Sequence, residues 1–173
     1  MNLKDKIRSI PNWPIEGVIF RDITTVLEDP DAFRQANDLF YERYKDQKLD
    51  KIVGIDARGF IFGAVLAYKL NLPFIPVRKK GKLPYKTISA EYDLEYGKDT
   101  VEMNEDAIKS GEQVLIVDDL IATGGTIAAA IELVQQLGGI VAECCFLVEL
   151  PDLGGRKKIP NVPIFCLMEF EGD

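Results

Sequence analysis

Two adjacent carboxylates, Asp118 and Asp119, stand directly after four apolar residues, Val114, Leu115, Ile116 and Val117, and just before Ala122-Thr123-Gly124-Gly125-Thr126. Ionised carboxylates accept hydrogen bonds and donate none, so a neighbouring pair suits the two vicinal hydroxyls of a ribose. Glycines at 124 and 125 let the backbone turn tightly and aim successive N–H groups at an anion. A helix starting near Thr126 adds the positive end of its dipole. A diol on the acids and a phosphate on the amides describe a phosphorylated sugar. A nucleoside triphosphatase loop is excluded, because it requires Gly-Lys-Ser/Thr where this chain has Gly125-Thr126-Ile127. A dinucleotide fingerprint fails as well: a third glycine is missing, and the acids precede the glycines instead of following about 20 residues later. A turn without a ligand would leave two carboxylates at a buried strand end with nothing to pair them, which is costly.

The run 114–117 does not alternate, as in a strand covered on both faces of a parallel sheet, and ligands bind at the carboxyl ends of such strands. A second buried strand over 51–55 ends in Asp56-Ala57-Arg58-Gly59 before a helix over 60–70, and residues 72–77 give a third. The third strand delivers Arg78-Lys79-Lys80-Gly81-Lys82 into a long connection. Residues 89–95 and 98–103 are predicted as a hairpin, 104–108 as a helical turn, 127–137 as a helix closed by Gly138-Gly139, and 140–150 and 163–168 as the last strands. Asp29 is predicted to cap a helix over 32–46 with Phe33, Leu39, Phe40 and Tyr44 on its apolar face. Residues 4–9 read as a short helix ended by Pro11, and 17–23 as a loop or short strand. Strands alternating with helices predict one doubly wound α/β domain with a mainly parallel central sheet, plus a hairpin between the third and fourth core segments.

At 173 residues, 47% hydrophobic and 28% charged, the chain has the composition of one soluble domain. Its longest apolar runs are far too short to span a bilayer, no secretory signal is read in the first ten residues, and a cytoplasmic location follows as the default. A formal charge of -7 disfavours a nucleic-acid surface and suits a small polyanion at the single basic cluster. Histidine is absent, which removes the usual general base. Three cysteines without metal spacing are expected as buried thiols.

Four apolar residues, two acids and Ala-Thr-Gly-Gly-Thr resemble the phosphoribosyl-pyrophosphate signature of type I phosphoribosyltransferases. Gly17-Val18-Ile19-Phe20-Arg21-Asp22-Ile23 is similar to the base-binding segment of those members that act on adenine. Gly81-Lys82-Leu83-Pro84, followed by Glu95-Tyr96-Gly97, resembles their flexible catalytic loop. The resemblance implies a single domain over 1–173, a base-binding segment over about 10–27 and a lid over about 79–103. It implies that Ala122, Thr123, Gly124, Gly125 and Thr126 hold the 5′-phosphate. Asp56, Ala57, Arg58, Lys79 and Lys82 would contact pyrophosphate, with a cis peptide between Asp56 and Ala57. Phe20 would stack on the base, main-chain groups of Ile19 and Arg21 would read its edge, and Leu120 would close its other face. In the reaction implied, adenine and phosphoribosyl pyrophosphate give AMP and pyrophosphate, a step of purine salvage. Positive charge builds on the ribose as pyrophosphate leaves, so Asp118 and Asp119 belong beside the sugar. Arg58, with a magnesium ion bridging pyrophosphate oxygens and no direct protein ligand, belongs beside the leaving group. Glu95 would act on the incoming base, with Tyr96 orienting substrates next to it. The family also implies a homodimer, with no nucleic-acid or membrane partner. Two other readings stand open: transfer to hypoxanthine, guanine or xanthine, and a non-catalytic sensor of phosphoribosyl pyrophosphate.

Overall fold

The computed structural model describes residues 1–94 and 96–172. The chain opens with a 3-10 turn, Leu3–Lys6, and a small antiparallel ladder of β1 (Arg8–Pro11) and β2 (Ile19–Asp22). The helix expected over 4–9 is therefore cut short. Arg8 lies opposite Asp22 in the ladder, and its Nε and Nη2 donate to Asp22 Oδ2 at 3.2 and 3.0 Å, so pairing across the turn overrides local helix preference. After α1 (Thr24–Glu28), the Asp29 side chain accepts from Asp31 and Ala32 N–H and caps α2 (Pro30–Tyr44). The buried residues of α2 are Ala32, Ala36, Asn37, Phe40 and Tyr44, a stripe of i+4 steps. Leu39 falls off that stripe and is exposed, against expectation.

The remaining elements are β3 (Lys51–Ile55), α3 (Arg58–Leu70), β4 (Phe74–Lys79), β5 (Thr87–Asp93), β6 (Lys98–Asn104), β7 (Gln113–Ile121), α4 (Gly125–Gln136), β8 (Ile140–Glu149) and β9 (Ile164–Glu169). They build a seven-stranded sheet in the order β5-β6-β4-β3-β7-β8-β9, parallel from β4 to β9 and antiparallel at β5 and β6. From β3 the chain winds outward through α3 to β4; from β7 it winds the other way through α4 to β8 and β9. The switch point of this doubly wound sheet thus falls between β3 and β7, where a crevice opens at the carboxyl ends of the strands.

Both faces of the sheet are covered, which explains the unbroken apolar run of β7. Leu115 and Val117 join Cys145 and Leu147 in the core beneath α1, α2 and α3, whereas Val114 and Ile116 join Cys144 and Phe146 in the core beneath α4. Residues 105–107 form a turn rather than the helical turn expected over 104–108, because the Glu105 N–H donates across to the Lys86 carbonyl at 3.0 Å. The hairpin β5–β6 is built onto the sheet: Arg78 and Lys79 of β4 pair with Glu102 and Val101, and Ala90, Val101 and Met103 are buried in the second core. What stands outside the core in the stretch 79–103 is the connection 80–86 and the hairpin tip. The free thiols of Cys144 and Cys145 are buried and that of Cys166 half-buried; burial pushes the Cys166 thiol up to about 12.

Candidate active site

Strand β7 runs past its β3 neighbour. Its pairing with β3 ends at Val117 opposite Gly54, while its pairing with β8 continues through Asp118, opposite Phe146, to Ile121. Asp118 and Asp119 are therefore still strand residues, held on one edge by β8 and open on the other toward the loop that leaves β3. The pleat sends Asp119 to the same face as Leu115 and Val117, and α3 lies there. Arg58, the first residue of α3, donates from Nε to Asp119 Oδ2 at 2.6 Å. Asp119 is almost wholly buried, whereas the Arg58 side chain is 56% exposed, so the guanidinium reaches from solvent down onto the acid. The charge of Asp119 first, then its hydrogen bond and the charges of Asp118 and Asp22, hold the Arg58 guanidinium above its ordinary pKa against the cost of burial. Asp118 Oδ1 accepts the Asp119 N–H at 2.8 Å. Burial, then the charge of Asp119, push the Asp118 carboxyl well above the usual carboxylate range.

The glycine turn follows at once. Gly124 adopts φ +86°, in the left-handed region that glycine enters without a steric penalty, and its carbonyl accepts the Ala128 N–H at 3.0 Å to start α4. Its N-cap residue, Gly124, supplies no side-chain cap, and the first turn of the helix carries no acid. In this α4 differs from α2, whose N-cap Asp29 accepts from the first N–H groups of its helix. At the start of α3 the N-cap residue, Ala57, likewise supplies no side-chain cap. Two such helix starts therefore flank the switch point, one after β3 and one after β7.

A cavity of about 220 Å³ lies between them, lined by Arg58, the stretch 118–127 and Phe146. It brings together Arg58, Asp118, Asp119, Leu120, Ala122, Thr123, Gly124, Gly125 and Thr126, nine of the residues singled out from the sequence. The others are elsewhere. The Asp56–Ala57 peptide is cis, and Asp56 accepts from Arg78 Nε at 2.9 Å. Lys79 and Lys82 are exposed and do not line the cavity; Lys79 is held by Asp99 and by the Tyr92 hydroxyl. Ile19, Phe20 and Arg21 lie half-buried on β2, where the Phe20 ring meets Trp13 edge-on at 4.6 Å between centroids. Tyr96 stands almost fully exposed at the hairpin tip. Glu95 lies outside the described residues.

Three contributors were not singled out for roles from the sequence. Arg78 belongs to the basic cluster noted there, but only the β4 geometry ties it to Asp56. The Asp22 charge acts on Arg58 because the β1–β2 ladder brings it near. Phe146 lines the cavity because β8 is in register with β7, a pairing that no local signal in the chain announces.

A family model for the phosphoribosyl transferase domain matches residues 22–171. The adenine phosphoribosyltransferase of Desulfosudis oleivorans is 64% identical over 173 residues, spanning 100% of both chains. Among solved structures, adenine phosphoribosyltransferase from Thermoanaerobacter pseudethanolicus matches with a TM-score of 0.93 at 50% identity, covering 97% of this chain and 98% of its own. The enzyme from Saccharomyces cerevisiae, in complex with D-2,5-dideoxy-2,5-imino-altritol 1,6-bisphosphate and adenine, matches with a TM-score of 0.90 at 45% identity, covering 95% of this chain and 96% of its own.

Proposed function

The chain belongs to the phosphoribosyl transferase family, and from that membership we propose that phosphoribosyl pyrophosphate and adenine react in the cavity between α3 and α4. The reaction is transfer of the phosphoribosyl group to adenine, giving AMP and pyrophosphate, a purine-salvage step. One observation carries the assignment of residues: an adjacent acid pair, Asp119 buried and Asp118 half-buried, and two helix starts whose N-cap residues offer no side-chain cap share one crevice, and phosphoribosyl pyrophosphate is a diol with a phosphate at each end. The 5′-phosphate takes the amides of residues 122–126, and the ribose hydroxyls donate to Asp118 and Asp119. The pyrophosphate lies toward Asp56, Ala57 and Arg58, with Lys79 and Lys82 approaching from the β4 end.

As the bond from the anomeric carbon to pyrophosphate breaks, the acids stabilise the positive charge growing on the ring and Arg58 stabilises the negative charge leaving it. Arg58 starts paired with Asp119, so the sugar hydroxyls and the guanidinium compete for one carboxylate. The pyrophosphate oxygens then offer the guanidinium a second partner. Magnesium demands about six hard oxygen donors, and here one of the two site carboxylates already serves Arg58. Asp118 and Asp119 would therefore offer a magnesium ion few free donors, and an ion carried in with the substrate's phosphates would supply charge neutralisation at the leaving group. Adenine enters against Phe20 and Leu120, with the segment over about 10–27 forming its side of the site and main-chain groups of Ile19 and Arg21 reading its edge. Of the stretch over about 79–103, whose strands belong to the sheet, the connection 80–86 and the segment of Glu95 and Tyr96 serve as the lid, with Glu95 acting on the base and Tyr96 beside it. A second copy of the chain completes the assembly as a homodimer, which light scattering would report as a mass near twice 19.4 kDa.

Pyrophosphate release with adenine, hypoxanthine, guanine and xanthine in competition tests the reading. Adenine is expected to dominate, and Asp118→Asn combined with Asp119→Asn to lower kcat/KM by more than a hundredfold. Glu95→Ala is expected to depress kcat strongly with little change in AMP affinity. Full activity in the double variant would remove the acids from the mechanism.

A further inference from the structure

The phosphate loop is braced from behind by a second glycine turn that the reaction itself does not touch. After β8 the chain passes through a 3-10 turn, Pro151–Leu153, and a second one, Gly155–Lys158, joined at Gly154 with φ +71°. This second turn presses directly on the loop. A Cβ built on Gly124 would lie 2.6 Å from the Gly155 carbonyl oxygen and 3.0 Å from its Cα. A Cβ built on Gly155 would lie 2.6 Å from the Ala122 carbonyl oxygen and 2.8 Å from Ile121 Cγ1. Contacts this short against backbone leave no room for a side chain on either partner. The two glycines thus fix the distance between the turns.

The brace has its own anchor. Arg156 donates from Nε and Nη2 to the two carboxylate oxygens of Glu149 at 2.7 and 2.8 Å, a fork-on-fork pair in which the Glu149 side chain is only 4% exposed. Glu149 ends β8 opposite Ile121 of β7, and the Leu150 N–H donates to the Ile121 carbonyl at 3.0 Å. Rigid strands therefore hold Glu149, Glu149 holds Arg156, and Arg156 holds Gly155 against Ala122 and Gly124.

We propose that Gly155 and Arg156 are positioning residues for the 5′-phosphate: they set the curvature of residues 122–125 so that the loop amides converge on one anion, without touching it themselves. The inference rests on the assignment of those amides to the 5′-phosphate. A general structural role would weaken all ligands alike, whereas this role is confined to ligands that carry the phosphate.

The discriminating quantity is the ratio of the inhibition constants of adenosine and AMP against phosphoribosyl pyrophosphate, which isolates the phosphate contribution from base and sugar. In the unaltered protein AMP is expected to inhibit far better than adenosine; equal inhibition would show that the phosphate assignment itself is wrong. Gly155→Ala is expected to cut the ratio at least tenfold while adenosine inhibition changes less than twofold. Arg156→Ala, a milder change at a half-exposed side chain, is expected to cut it several-fold, and Arg156→Lys, which keeps one bond to Glu149, to recover most of the loss. An unchanged ratio in Arg156→Ala, or an equal loss for adenosine and AMP in either variant, would overturn the proposal.

Discussion

Neighbouring residues in a strand point to opposite faces, and this places Asp118 and Asp119 in different company although they share a peptide bond. Asp119 meets Arg58 and is paired; at Asp118 burial and the like charge beside it push the carboxyl upward and outweigh the Asp119 N–H and the more distant charge of Arg58. In the folded protein Asp118 keeps its proton at a pH where the unfolded chain, with an aspartate value near about 4, has released it. Folding then binds a proton, so this contribution to stability is complete below the ordinary aspartate range and is lost as pH rises through the folded value. Asp118→Asn keeps the shape and removes the charge. It is expected to raise the melting temperature at pH 7 and to leave it unchanged near pH 3, where Asp118 is protonated in both states, even though activity falls. Thermal melts at the two pH values check this, and a lower melting temperature at pH 7 would mean that Asp118 is already compensated by a partner. The stabilising variant being the inactive one is the relation expected of a charge kept for its ligand.

Helix α3 carries Arg58 to the acids only because its first turn can approach β7 closely. A Cβ on Gly59 would lie 2.7 Å from the Val117 carbonyl oxygen and 3.0 Å from Asp118 Cα, and backbone in the middle of a sheet cannot give way easily. Gly59→Ala is expected to cost about 1–3 kcal/mol in stability, the usual range for overpacking. It should also lower kcat/KM at least tenfold by lifting Arg58 off Asp119. Denaturant titration alongside steady-state kinetics measures both, and an alanine variant with normal kinetics would show that α3 can be re-seated without consequence. The elements of the central sheet and the helices that cover it were legible in the chain, where the unalternating run before Asp118, the Asp29 cap and the Gly138-Gly139 stop each have a local cause, whereas α1 was not. Partners that meet through tertiary pairing were not. Lys79 finds Asp99 only because β4 pairs with β6, the hairpin joins the core through the same pairing, and the N-terminal turn yields to the Arg8–Asp22 contact. Gly154-Gly155-Arg156-Lys157-Lys158 reads from the chain as a basic surface turn or short helix, but the contact of Gly155 with the loop at 122–124 has no local signal.

Across the whole molecule the sheet separates chemistry at its carboxyl edge from cohesion further back. Glu143 lies opposite Leu115, about 10 Å along the strands from Asp118 at roughly 3.3 Å per residue. Arg43 grips it with Nε and Nη2 at 2.8 and 2.9 Å, the Tyr44 hydroxyl donates to it at 2.5 Å, and the Arg43 guanidinium covers the Phe165 ring at 4.0 Å from its centroid. One carboxylate thus ties α2 to β8 and β9. Burial would raise the Glu143 carboxyl, but the hydrogen bonds from Arg43 and Tyr44 outweigh it and hold the group below its ordinary value. A lowered carboxylate contributes stability above the ordinary glutamate range and loses it as pH falls through the folded value. Tyr44→Phe removes one of these donors and leaves the ring in place. The loss of about 1.5–3 kcal/mol typical of a hydrogen bond to a charged group should lower the melting temperature by about 2–4 °C per kcal/mol in a chain of this length. The deficit is expected to shrink as the pH is lowered and Glu143 takes up its proton, while kcat/KM for adenine stays within twofold of the unaltered protein. A variant that melts normally at pH 7, or that loses activity in proportion to stability, would show that the two ends of the sheet are not independent.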